Sequence, residues 1–194
     1  MTIGVGVEGP SDFQFWVKVL HKHFRGYRFD VRNMKNRDKL IRETPRLMEN
    51  FRACGYAAGF TLVDMDDDPC VSSVVNLFDD AVKSIARAGE RSARHFHVCV
   101  AVKEIESWYL ADATAIQTVM PGCEWDKAPD DTSRVAKGRL RKLYKAHFGR
   151  KSSFNEIAFA KDIASKFSPT RAMPHSASFR YFWGVVENRI RQKS

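Results

Sequence analysis

Ten residues, Phe60-Thr61-Leu62-Val63-Asp64-Met65-Asp66-Asp67-Asp68-Pro69, constrain the fold of this chain more than any others. An apolar run that breaks into acids and a proline predicts a buried strand ending at the lip of a sheet, where the chain turns into a helix. In open α/β sheets ligands bind outside the carboxyl ends of the strands, so these acids stand where chemistry is normally done. Asp64 and Asp66 are two apart, and in extended backbone such side chains point the same way. Paired carboxylates in a chain of net charge +9 ask for a cation. Oxygen-only ligands suit Mg²⁺ or Mn²⁺. The competing reading is a solvated turn with an Asp helix cap and Pro69 at the first helical position. It suits Asp67 and Asp68 better than Asp64 and Asp66, which follow the strand directly.

The rest of the first half repeats a strand-helix pattern. Ile3 to Val7 predicts a short strand followed by Glu8-Gly9-Pro10. Ser11 with Gln14 has the form of a capping box, and Phe13, Trp16, Val17, Leu20 and Phe24 supply an apolar stripe. Gly4-x-Gly6-x-x-Gly9 imitates a dinucleotide fingerprint, but only three residues precede it where a strand is required. Its glycines are expected to let the strand pack closely against a neighbour. Tyr27 to Val31 predicts a second strand. The basic stretch after it, with Arg32, Lys35, Arg37, Lys39, Arg42 and Arg46, has an apolar side of Leu40, Ile41, Leu47, Met48 and Phe51, and Thr44-Pro45 reads as a helix start. Such a run is either a solvated face or a polyanion-binding one. Val71 to Ala88 predicts a helix with Val74, Val75, Phe78, Val82 and Ile85 inward, stopped by Gly89. His95 to Val102 predicts a fourth, buried strand. The pairs His95/His97 and His21/His23 share faces, but neither has a third ligand at zinc spacing.

The order β-α-β-α-β-α-β implies an α/β, Rossmann-like fold: a mostly parallel central sheet of about four strands, with helices on both faces. Residues 1–112 form the expected core and 113–194 a helical extension packed on it. Glu8, Asp64, Asp66 and the segment Lys103-Glu104-Ile105-Glu106-Ser107-Trp108 all follow strand ends, so they are expected at one edge of the sheet. In the second half Ile105, Trp108, Tyr109 and Leu110 begin a short helix, and Pro121 to Pro129 reads as a loop. Thr132 to Phe148 predicts a helix with Arg134, Lys137, Arg141 and Lys145 along one side. Phe154 to Phe167 predicts another, Ser168 to His175 a loop, and Phe179, Phe182, Trp183, Val186 and Ile190 a closing helix whose stripe is core.

Composition bounds the class. The chain has 194 residues, 44% hydrophobic and 12% aromatic, which is enough to bury a sizeable core. No stretch approaches the ~20 apolar residues of a membrane helix, and no signal-peptide pattern precedes the first strand, so the expected address is the cytoplasm. Four cysteines without a CxxC pair read as reduced thiols, mostly packing. The positive charge favours a polyanionic partner, nucleic acid first and an anionic membrane surface second.

Taken together, Glu8-Gly9 after an apolar strand and Asp64-x-Asp66 at a later strand end resemble the TOPRIM domain of primases, topoisomerases and OLD-type nucleases. Lys103-Glu104-Ile105-Glu106-Ser107-Trp108 resembles the lysine–glutamate segment of the OLD-type enzymes. Ser178-Phe179 is similar to a pair in small stand-alone TOPRIM-like proteins often encoded beside an ABC-type ATPase. The resemblance implies Mg²⁺-dependent (or Mn²⁺-dependent) phosphodiester chemistry on nucleic acid, DNA rather than RNA. It implies an ABC-type ATPase as partner, leaves room for a homodimer, and gives a membrane no part. On that resemblance Asp64 and Asp66 hold metal, and Glu8 holds metal or moves protons. Glu106, with Glu104 in reserve, adds the OLD-type ligand, and Lys161 or Lys103 stabilises charge on the phosphate. Arg134, Lys137, Arg141 and Lys145, with Arg37 and Arg42, would bind the nucleic-acid backbone without reading sequence. A TOPRIM-like module that binds nucleic acid or a partner without cutting is one alternative, and a nucleotide or small-phosphate enzyme using the same acids is another.

Overall fold

The computed structural model describes residues 1–79, 83, 96–125 and 136–191. Over these the elements are β1 (Thr2–Val7), α1 (Pro10–His23), β2 (Arg28–Asn33), α2 (Arg37–Ala53), β3 (Ala58–Asp64), α3 (Val71–Asn76), β4 (Phe96–Ala101), α4 (Glu106–Leu110), α5 (Ala113–Val119), α6 (Ala136–Phe148), α7 (Glu156–Lys166), α8 (Pro169–Ala172) and α9 (Ala177–Arg191). The strands form one all-parallel sheet in the order β2-β1-β3-β4, with helices around it, as the Rossmann-like reading requires. By contact the chain divides into two compact units: Met1–Val63 with Asp68–Val100, and Asp64–Asp67 with Ala101–Ser194. The loop after β3 groups with the second of these units. The physical reason is hydrogen bonding: Met65 N–H donates to Ala101 O at 2.9 Å and Asp66 N–H to Lys103 O at 2.8 Å.

In the first unit the glycines decide how closely α2 approaches the sheet. A Cβ on Gly4 would lie 2.3 Å from the Phe51 ring, one on Gly6 2.8 Å from Leu47, and one on Gly59 2.5 Å from Met48 Sδ. The imitation of a dinucleotide fingerprint is thus a packing surface, as the spacing argument expects. Met48 and Phe51 anchor α2 there, with Leu47, Tyr56 and Phe96 packed against them.

Several local expectations shift. α1 starts at Pro10, with the Gly9 N–H donating to the Asp12 carboxylate at 3.2 Å, and Ser11 and Gln14 form no capping box. This phase buries Phe15, Trp16, Val19 and Leu20, so Phe13 and Val17 are not the inward positions. β2 runs from Arg28 to Asn33 because β1 sets its register, from Thr2 opposite Arg28 to Val7 opposite Asn33. Thr44-Pro45 does not begin a helix, because α2 runs through it. Pro45 removes one N–H from the ladder, but Leu40, Met48 and Phe51 bury the helix face on both sides of it. The Thr44 hydroxyl donates to Leu40 O at 2.6 Å. Val82, Ile85, Gly89 and His95 lie outside the described residues. His97 stacks on Phe60 at 5.3 Å and His21 meets Phe29 edge-on at 6.4 Å. Of the four free cysteines only Cys99 is buried, so packing is not their general role. Burial pushes the Cys99 thiol up to about 12.

The second unit is helical and held at two polar points. Trp108 of α4 stacks on Phe182 at 5.6 Å and meets Phe179 at 5.5 Å, and its Nε1–H donates to Ser178 Oγ at 2.8 Å. The aromatic stripe of α9 is core, as expected. Asp112, fully buried, caps α5 by accepting from Ala115 N–H at 3.1 Å. It also accepts from Ser168 N–H at 2.7 Å and from Arg171 Nε and Nη2 at 2.8 and 2.9 Å. Those bonds fold the expected Ser168–His175 loop into α8. No helix among the described residues is long and apolar enough to cross a membrane.

Candidate functional site

Two adjacent strand ends of the second unit carry most of the expected site. Asp64 is the last residue of β3, half-buried, and its Oδ1 accepts the Ile105 N–H at 3.0 Å. Asp66 follows two residues on but has φ +48°, not an extended value. The same-side argument therefore does not apply: the chain has left the strand, because the Asp66 N–H is captured by Lys103 O. Lys103 is itself left-handed, with φ +69°, and its Nζ donates back to Asp66 O at 3.3 Å. Asp tolerates this backbone region well, whereas for lysine it costs on the order of 1 kcal/mol. Strain of this kind clusters at functional sites.

The glutamates of the following segment are committed to α6. Glu104 Oε2 accepts the Lys137 N–H at 2.8 Å, in the helix's first turn. Glu106, buried, has its Oε1 3.8 Å from Lys137 Nζ. The same ammonium lies 2.9 Å from Glu156 Oε2, and Arg141 also pairs with Glu156. Burial works to lower the Lys137 ammonium, but Glu106 and Glu156 outweigh it and raise it above its ordinary value. Burial likewise works to raise the Glu156 carboxyl, and hydrogen bonds from Lys137 and Arg141 hold it below the usual range. Sequence reasoning missed Glu156, although it is the single acid between Thr132 and Lys161. It also missed Asp112, whose signal is an Asp directly before a helix-forming Ala-Thr-Ala.

The other expected residues lie on other elements. Glu8 follows β1 in the first unit and is half-buried. Lys161 is exposed on α7, five positions after Glu156 and so about 140° further round the helix. The lysine beside Glu106 is Lys137. Of the supposed phosphate-binding stripe, Lys137 and Arg141 neutralise glutamates, Lys145 is exposed, and Arg134 lies outside the described residues. Arg37 pairs with Asp68 within the first unit, and Arg42 lies 3.4 Å from Glu43.

Carboxylate oxygens are the right donors for Mg²⁺. Among the described residues, however, no three or more His, Cys, Asp or Glu side chains are gathered so as to hold a metal ion. The cation found against Glu106 and Glu156 is the Lys137 ammonium.

A family model described as a domain of unknown function (DUF4276) matches residues 7–187. No curated protein and no solved structure matches the chain.

Proposed function

From the premise that the chain belongs to the DUF4276 family, which carries no assigned activity, we propose that it is a TOPRIM-like nuclease, performing Mg²⁺-dependent phosphodiester chemistry on nucleic acid. One observation carries the reading. Asp64, Asp66 and Lys103 meet at the carboxyl ends of two strands, where the Asp66 and Lys103 backbones hydrogen-bond to each other in left-handed conformation. A lysine in left-handed backbone costs stability there, and such strain clusters at functional sites. Asp64 and Asp66 are the donors we assign to the ion, since Glu104 and Glu106 are engaged by α6. An Mg²⁺ held by Asp64 and Asp66 would supply Lewis-acid activation of water and of the phosphate. Lys103 would offset negative charge on the phosphate, and Glu8 enters on the TOPRIM resemblance alone. So do the ATPase partner, the homodimer, the preference for DNA and the cytoplasmic address.

The test is cleavage of plasmid DNA, single-stranded DNA and RNA by the purified chain in Mg²⁺ or Mn²⁺, with EDTA as control. Asp64→Asn keeps an acceptor for the Ile105 N–H and removes the charge. It is expected to lower cleavage at least about 100-fold, about 2.7 kcal/mol of barrier, with the melting temperature held. Undiminished cleavage by Asp64→Asn and Asp66→Asn overturns the assignment.

A second reading, a module that binds nucleic acid or a partner without cutting, is favoured by the neutralisation of Glu106 and Glu156 by Lys137. It is sustained if no nucleic acid is cut under any of these conditions while salt-dependent binding persists.

A further inference from the structure

Beyond the strand-end acids, the far end of α6 carries a different kind of surface. Phe148, the last residue of the helix, is 49% exposed. Its ring lies 4.5 Å from Tyr144 and 4.4 Å from His147. Tyr144 meets Phe154 at 5.1 Å, and Phe154 meets the buried Phe159 at 5.4 Å, so the exposed ring is backed by a chain of rings that ends in the core. Gly149, with φ +96°, stops the helix, and Ser152 closes the turn by donating its N–H and hydroxyl to Gly149 O at 3.0 and 2.5 Å. That turn carries Arg150 and Lys151, both exposed.

The charge around the rings has one sign. From Ala136 to Asn155 there are seven lysines and arginines and no acid. The first acid after them, Glu156, is taken by Lys137 and Arg141, about three and two turns nearer the helix start than Phe148. Lys142, Lys145, Arg150 and Lys151, on the same helix and turn, are all exposed. A large aromatic held in a cationic surface matches a strand that offers both phosphates and uncovered base faces. Duplex DNA offers the phosphates but hides the faces in its own stack.

We propose that Phe148, with the cations of α6 and the following turn, is a stacking platform for single-stranded nucleic acid. Each stacked base contributes enough to be read by truncation of one ring, and each phosphate contact contributes to the salt dependence. The platform goes beyond the nuclease reading and needs no metal.

The experiment is fluorescence anisotropy of labelled dT15 and U15, and of a 15-base-pair duplex, in EDTA across a salt series. EDTA keeps cleavage out of the measurement, so a failure here says nothing of the strand-end acids. Wild type is expected to prefer the single strands. Phe148→Ala is expected to weaken them about 5- to 150-fold without changing the slope of log K against log salt, and Phe148→Trp to restore binding. Lys145→Gln with Lys151→Gln is expected to reduce that slope by about 1.4. Phe148→Ala binding as wild type overturns the platform, as does equal affinity for duplex and single strand. Capture by phosphatidylserine vesicles without capture of dT15 or U15 overturns it in favour of a membrane surface.

Discussion

Asp112 and Asp66 are both acids of the second unit, and they show two ways a carboxylate can be used. Asp112 is fully buried and accepts four hydrogen bonds, two from backbone N–H groups and two from one guanidinium. Its surroundings are satisfied by it and leave nothing for a ligand to add. Asp66 is exposed, follows a strand end, and sits in left-handed backbone tied to a second left-handed residue. A structural acid is recognised by completed bonding. A candidate reactive acid is recognised by exposure on a backbone that other contacts hold in place. Glu106 lies between them, buried like Asp112, with the Lys137 ammonium 3.8 Å from its Oε1.

Substitutions can break this comparison. The largest stability effect is expected at Asp112→Ala, which unpairs two N–H groups and Arg171 and should cost about 3 kcal/mol, read as a shift of the urea midpoint at unchanged slope. A midpoint unmoved by this variant would remove the distinction. A smaller effect of opposite sign is expected at Lys103→Gly. Glycine adopts positive φ at no steric cost, so the variant should be stabilised by about 0.5–1 kcal/mol in thermal melts while losing activity, which is the signature of strain kept for a purpose. The smallest is expected at Glu156→Gln. The folded Glu156 carboxyl is held low by Lys137 and Arg141, so its contribution is complete above the ordinary glutamate range and is lost as pH falls through the lowered value. Wild type should exceed the variant by at most about 1 kcal/mol at pH 7. The two should converge once the pH has fallen through that lowered value, as followed by denaturant titrations at a series of pH values.

Much of the fold was legible because parallel strands and their crossover helices write their burial locally. β1 and β3 are near-continuous buried runs bounded by turn residues, and Gly4 and Gly6 read correctly as a close-packing surface. The ends of elements were less legible. Gly9 rather than Ser11 caps α1, and α2 passes through Pro45, since a cap or a proline is judged against the packing around it. The site was legible in position and not in partnership. Asp64, Asp66, Lys103, Glu104 and Glu106 were found as strand-end residues, whereas Glu156 and the inward use of Lys137 and Arg141 were not.

By itself the sequence determined the parallel α/β sheet, the strand ends that carry acids, and the basic surplus, because apolar periodicity and net charge are sums over residues in order. Tertiary structure alone decided which cation each acid meets and which backbone turns left-handed. Those outcomes depend on side chains distant in sequence, such as Glu106, Lys137 and Glu156, competing for the same few ångströms, and no spacing along the chain records who wins.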